Sequence, residues 1–147
     1  MTELALGAEA RLRWKRAEKR ASKSRLFTQM CGLALLCLVL SLTLSDDVAR
    51  PQLIAGQDKV EHLLAFLGLG FLFGWGASLW ALFAAGIALG GAAFGIEALQ
   101  DMLTTTREGA FSDAAASCLG LGLGLLGAFL LNTAVAWLVR RRRRTGG

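Results

Sequence analysis

The side chains able to do chemistry stand at the edges of long uncharged stretches. Asp58, Lys59, Glu61 and His62 precede one such stretch, Glu97 closes it, and Arg107 and Asp113 precede the last. His62 is the only histidine, and imidazole is the side chain that exchanges a proton most readily near neutral pH. Paired with a carboxylate from another helix it makes a general acid–base unit. Lys59 and Arg107 supply cations suited to a phosphate or a carboxylate. Asp58 and His62 are four residues apart, and Glu97 and Gln100 three, so each pair shares a helical face. The candidate acid–base residues are therefore His62, Glu97 and Asp113, and the candidate ligand contacts are Asp58, Lys59, Gln100 and Arg107. A divalent metal on His62, Glu97 and Asp113 is a further reading with weak support, because no His-x-x-x-His or Glu-x-x-His pair is present; neither a metal nor a cofactor is expected. The competing expectation is that these groups satisfy one another, Glu97 with Lys59, Asp113 with Arg107 and His62 with Gln100, holding helix ends in register.

The elements that must position these residues are membrane helices. With 54% hydrophobic residues in 147 and a single proline, the apolar content is too continuous for a soluble domain. Leu26 to Leu44 carries no charge and is long enough to cross the roughly 30 Å hydrocarbon core. Leu63 to Ile96 would be about 50 Å long as one helix, so it must fold back. The natural reversal is Gly74-Trp75-Gly76-Ala77-Ser78, with Trp75 and Trp80 suited to an interface. Each half is short of a full span and must borrow from its charged end, which brings Asp58 to His62 and Glu97 to Gln100 to the same membrane boundary. Ala114 to Val139 makes a fourth span. The expected fold is an all-α membrane protein, a four-helix transmembrane bundle. Residues 1–25 form a basic juxtamembrane segment, 26–139 the four-span domain and 140–147 a basic tail.

Lysine and arginine set the orientation. Eight of them lie between Arg11 and Arg25, and Arg140 to Arg144 follow the last span, while the segments between carry only Arg50, Lys59 and Arg107. Both termini are expected in the cytoplasm, with the loops Ser45 to Gln57 and Asp101 to Ser112 outside. The basic N-terminal stretch, alanine-rich and helix-prone, acts as the positive-inside determinant and is drawn to anionic lipid; no nucleic-acid partner is expected. It also resembles the start of a signal peptide, but lacks a small-x-small cleavage pattern and reads as an uncleaved anchor. Cys31, Cys37 and Cys118 form no Cys-x-x-Cys pair and read as small apolar residues. Gly70/Gly74, Gly86/Gly90, Gly91/Gly95 and Gly120/Gly124 have the G-x-x-x-G spacing of closely packed membrane helices. They predict a tight core of the second, third and fourth helices, with a leucine-rich first helix packed more loosely.

Taken in order, Asp58-Lys59-Val60-Glu61-His62, then Glu97-Ala98-Leu99-Gln100, then Arg107 with Asp113 six residues on, and Gly120 in the last span resemble the D-K-x-x-H, E-x-x-Q and R-x5-D signatures of the VanZ-like family of bacterial membrane proteins. The resemblance covers about residues 26 to 139. Ser117 stands where the family usually has asparagine, four residues after the aspartate, and the resemblance adds it to the ligand contacts. Thr105-Thr106 stands where the family often has Pro-Gly.

The resemblance implies a cell-envelope role, since the family is named for a member that gives low-level resistance to the glycopeptide teicoplanin. The expected protein sits in the bacterial inner membrane. Its outward-facing polar site would bind or process a lipid-linked or headgroup-bearing envelope component; whether chemistry occurs there is left open. Its expected partners are membrane lipids and a lipid-linked envelope precursor. The alternative is a non-enzymatic accessory subunit of a larger membrane complex. A channel or transporter would need internal repeats and broken helices, which the spans lack.

Overall fold

In the computed structural model the uncharged run from Leu63 to Ile96 is broken where glycine allows it. Helix α2 (Gln57–Gly74) stops at Gly74, and α3 (Leu79–Leu103) begins after a short turn. Gly76 takes a left-handed φ of 62°, which a residue with a Cβ rarely adopts. Trp75 N donates to Phe71 O and Ala77 N to Gly74 O, at 3.0 and 3.1 Å, and these bonds cap α2. The other two helices are α1 (Glu3–Thr43) and α4 (Phe111–Thr145). The structure describes residues 3–43, 56–103 and 111–145.

Packing is antiparallel between sequence neighbours and parallel between α2 and α4, whose interface is the most extensive. Its two helices nearly touch through glycine. A Cβ added at Gly120 would meet the Leu63 carbonyl oxygen, one at Gly124 the Leu67 carbonyl oxygen, and one at Gly70 the Leu121 carbonyl oxygen at 2.6 Å. The registers 63 with 120, 67 with 124 and 74 with 128 run in the same direction. Two of the four G-x-x-x-G pairs thus lie in one parallel interface, where small residues let backbones approach.

The glycines of α3 do not share that role, which corrects the expectation drawn from their spacing. Gly91 and Gly95 have nothing within 4 Å of an added Cβ, and Gly90 meets only a leucine methyl at 3.9 Å. The buried stripe of α3 is instead Leu82, Leu89, Ala93, Ile96, Glu97 and Gln100. The spacing of small residues identifies a pair but not the face that turns inward, and here the aliphatic stripe decides.

The core consists of Phe66 and Leu69 from α2, Leu89, Ala93 and Ile96 from α3, and Leu121 from α4. Large apolar side chains such as Leu33, Leu38, Phe83, Ile87, Leu123 and Leu126 point outward. Inside, Ala93, Ala114, Ala128 and the polar Glu97, Gln100 and Ser117 pack beside that apolar core. So many large apolar side chains on the outside suit lipid as surrounding solvent and exceed what a water-facing surface tolerates. Three stretches, Arg11–Thr43, Leu79–Gln100 and Phe111–Arg142, are long and apolar enough to cross a membrane. Helix α2, with 18 residues and Asp58, Lys59 and Glu61 near its start, is not among them.

Helix α1 packs on α2, where Gly32 faces the Phe73 ring and Gly68 faces Leu35. It has few contacts with α3 and none with α4 among the described residues, as expected of the looser helix. Its 41 residues run without a break, so the basic segment before Leu26 continues the apolar helix, and α4 likewise carries helix through its arginines. At about 1.5 Å per residue α1 is roughly 60 Å long.

Candidate functional site

The C-terminal ends of α1 and α3 and the N-terminal ends of α2 and α4 come together at one end of the bundle. Burial of Phe66 and Leu69 one and two turns below His62 fixes the face of α2 that turns inward. The same face carries His62 between α3 and α4. Its Nδ1 lies 3.2 Å from Ser117 Oγ and 3.9 Å from Glu97 Oε1, and the His62 and Glu97 side chains keep only 11% and 10% of their surface. Ser117 is 1% exposed. Three helices therefore contribute one polar group each to a common point, as the matching depth of the charged ends predicts.

The hydroxyl and the carboxylate face the same ring nitrogen. A nucleophilic serine unit needs them on opposite nitrogens, with the base nitrogen toward serine and the other toward the acid. Ser117 and Glu97 instead hold Nδ1 between them. A proton on Nδ1 leaves Nε2 with its lone pair, as the acceptor or base for whatever enters. The 3.9 Å separation is beyond hydrogen-bond length but within the reach of an ion pair.

The other candidates are arranged around this point. Lys59 Nζ is 3.4 Å from Asp113 Oδ1; the lysine is 53% exposed and the aspartate 14%. Ser112 Oγ also donates to Asp113 Oδ1, at 3.2 Å. Gln100 is buried and donates from Nε2 to the Thr43 carbonyl oxygen at 3.1 Å, tying α3 to the end of α1. These partners replace two of the expected pairs, Glu97 with Lys59 and His62 with Gln100. Asp113 takes Lys59 because both stand on the rim where α2 and α4 run parallel, whereas Glu97 lies deeper and meets His62. Gln100, one turn beyond Glu97, faces α1. Arg107 lies outside the described residues.

A cleft of about 360 Å³ opens between α1 and α2 beside the cluster. One wall is apolar, made of Leu35, Leu38, Val39 and Leu42; the other carries Asp58, Glu61 and His62. Glu61 accepts from Gln57 Nε2 at 2.9 Å, so it is more than a solvated helix-end charge. Among the described residues no three His, Cys, Asp or Glu side chains are grouped as a metal would require. Cys31 and Cys118 are half-buried and Cys37 is exposed, all three as free thiols.

Two functional contacts escape sequence reasoning. The acceptor for Gln100 is a backbone carbonyl, which carries no side-chain signature. Asn132, on α4 at the other end of the bundle, accepts from Gly76 N at 3.0 Å and donates to Gly74 O at 2.9 Å, fastening the α2–α3 turn. A lone asparagine inside an apolar run was the available signal, since a buried amide needs partners. Ser117 is one turn past Asp113 and so on its face, a spacing that alone would have flagged it. Compared with family models, curated proteins and solved structures, the chain matches none.

Proposed function

We propose that the chain is a VanZ-like protein of the bacterial inner membrane. It crosses four times with both termini cytoplasmic, and its site at the outer end binds or processes a lipid-linked or headgroup-bearing envelope component. The observation that carries this reading is the position of His62. It is held at Nδ1 by Ser117 and Glu97 and lines a cleft that joins an aliphatic wall to a charged one. A ligand with an acyl or prenyl body and a polar head matches that division, because apolar surface supplies burial and a few polar groups supply orientation. In this reading Nε2 of His62 takes or gives the proton, Glu97 fixes the ring, and the Lys59–Asp113 pair with Arg107 meets a charged headgroup. Asp58, Gln100 and Ser117 position these groups.

The test scores an envelope-stress or glycopeptide phenotype beside membrane abundance for Glu97→Gln, His62→Gln and Asp113→Asn. A working acid–base pair contributes on the order of 10²- to 10⁴-fold in rate, so function should fall far more than folded protein. Three folded and fully active variants would sink the site.

One observation favours a second reading, an accessory subunit of a larger membrane complex. The Lys59–Asp113 and Gln100–Thr43 contacts are complete within the chain and join α2 to α4 and α3 to α1, as helix-end glue would. Copurification in fixed stoichiometry with a large assembly, with the three variants active, would establish it.

A further inference from the structure

The end of the bundle opposite His62 holds a second cleft, and its lining carries one arginine and one glutamate. It measures about 650 Å³ and lies between α1, the α2–α3 turn and α4, where the backbones of α1 and α4 make no close approach among the described residues. Ser22 and Arg25 line it from α1, Trp75 and Gly76 from the turn, and Asn132 from α4. Asn132 is occupied at both ends of its amide by the turn, so it is wall rather than ligand. Arg25 is different. Its aliphatic stem rests about 3.9 Å from where a Gly76 Cβ would stand, and its Nε is buried with no hydrogen-bond partner among the described residues.

A buried guanidinium N–H left without an acceptor costs free energy, more so because the group is charged. An arginine that stays at such a position calls for an oxygen acceptor, and for this planar fork the matching partner is a phosphate or carboxylate. Depth narrows the choice. Arg25 is the last charge before the apolar run of α1, and Trp75 beside it is an interfacial residue. Whichever side of the membrane this end faces, the cleft sits where lipid phosphates lie. Val135 and Ala136 continue its wall with apolar surface. Glu18, also in its lining, stands two helical turns from Arg25, about 10 Å along the axis toward the basic end.

We propose that this cleft binds the phosphate of an anionic glycerophospholipid, with Arg25 as the principal donor and a Ser22 hydroxyl beside it. The bound lipid would fill the space between α1 and α4 that no side chain closes.

The experiment is native mass spectrometry of the full chain released from detergent. The probes are phosphatidylglycerol, a diacylglycerol of the same chains and inorganic phosphate. Wild type is expected to retain one phosphatidylglycerol, with little diacylglycerol or free phosphate. Arg25→Gln should weaken that binding roughly tenfold or more, as for a charge-assisted bond. Arg25→Lys, which keeps the charge but loses the fork, should fall between, and the exposed Arg16→Gln should leave binding unchanged. Unfolding midpoints for both Arg25 variants separate lost binding from lost fold; the folded Arg25→Lys decides the outcome if Arg25→Gln is unstable. The proposal is overturned by equal retention in the Arg25 variants, by an equal loss in Arg16→Gln, which would mean diffuse attraction, or by equal diacylglycerol binding. It is also overturned if inorganic phosphate alone binds with the same dependence on Arg25, which would make this a free-ion site.

Discussion

Gln100 on α3 donates its side-chain amide to the backbone carbonyl of Thr43 at the end of α1, 3.1 Å away. The carbonyls of a helix's last turn have no acceptor duty inside the helix, and Thr43 itself turns its hydroxyl back to Val39 O. The glutamine thus serves as a cap supplied by a neighbouring helix. Gln100→Leu should cost about 1–3 kcal/mol, the penalty for an orphaned buried acceptor, read as a lower unfolding midpoint in detergent. Gln100→Glu, with two acceptor oxygens facing a carbonyl, should be worse than leucine.

Because His62 is the only histidine, ¹⁵N-histidine labelling gives a single imidazole to follow by NMR. With Ser117 and Glu97 both at Nδ1, the neutral ring should carry its proton there. Ser117→Ala and Glu97→Gln should each raise the share of the other tautomer. A wild-type ring protonated at Nε2 would refute the arrangement.

In the proposed site Ser117 orients His62 through Nδ1 rather than attacking a substrate. Ser117→Ala should therefore lower activity by roughly tenfold or less, where loss of a nucleophile would cost on the order of 10⁴ or more. Its abundance should stay near wild type, since alanine fits the same buried space.

Glycine substitutions should separate the two kinds of G-x-x-x-G pair. Gly120→Ala and Gly124→Ala drive a methyl into a carbonyl of α2 and should cost about 1–3 kcal/mol or more through overpacking. Gly91→Ala and Gly95→Ala meet open space and should be neutral, or stabilising by up to about 1 kcal/mol from helix propensity. Thermal unfolding of the four variants in one detergent is the measurement.

The Lys59–Asp113 pair should contribute little to stability. With lysine half-exposed, solvent screening leaves such a pair about 0–1 kcal/mol. Lys59→Ala should unfold within a few degrees of wild type. A much larger loss would mean the pair is buried in the membrane-embedded protein.

The sequence made legible those features governed by length and charge: the reversal at residues 75–78, the start of α2, expected at Asp58 and found one residue earlier at Gln57, and the proximity of His62 and Glu97. Partner choice was hidden. It depends on which helices lie side by side and in which direction, and nothing in the separate motifs states that α2 runs parallel to α4. The paired glycines hinted at close packing without saying that α3 turns Gly91 and Gly95 outward. Gln100 was legible as a polar residue needing company, but not its acceptor, because every residue carries the same carbonyl.

The parallel α2–α4 interface has a consequence for how the protein is made. His62 and Ser117 are 55 residues apart, and the glycines that receive the Leu63 and Leu67 carbonyls belong to α4, which is synthesised after α2 and α3. Until α4 is in place, α2 has an open seam where those glycines belong. It must be shielded by α1 and α3 or by the insertion machinery. The polar cluster therefore closes only when α4 packs against α2, and a chain truncated before Ser117 would leave His62 without the hydroxyl that faces its Nδ1.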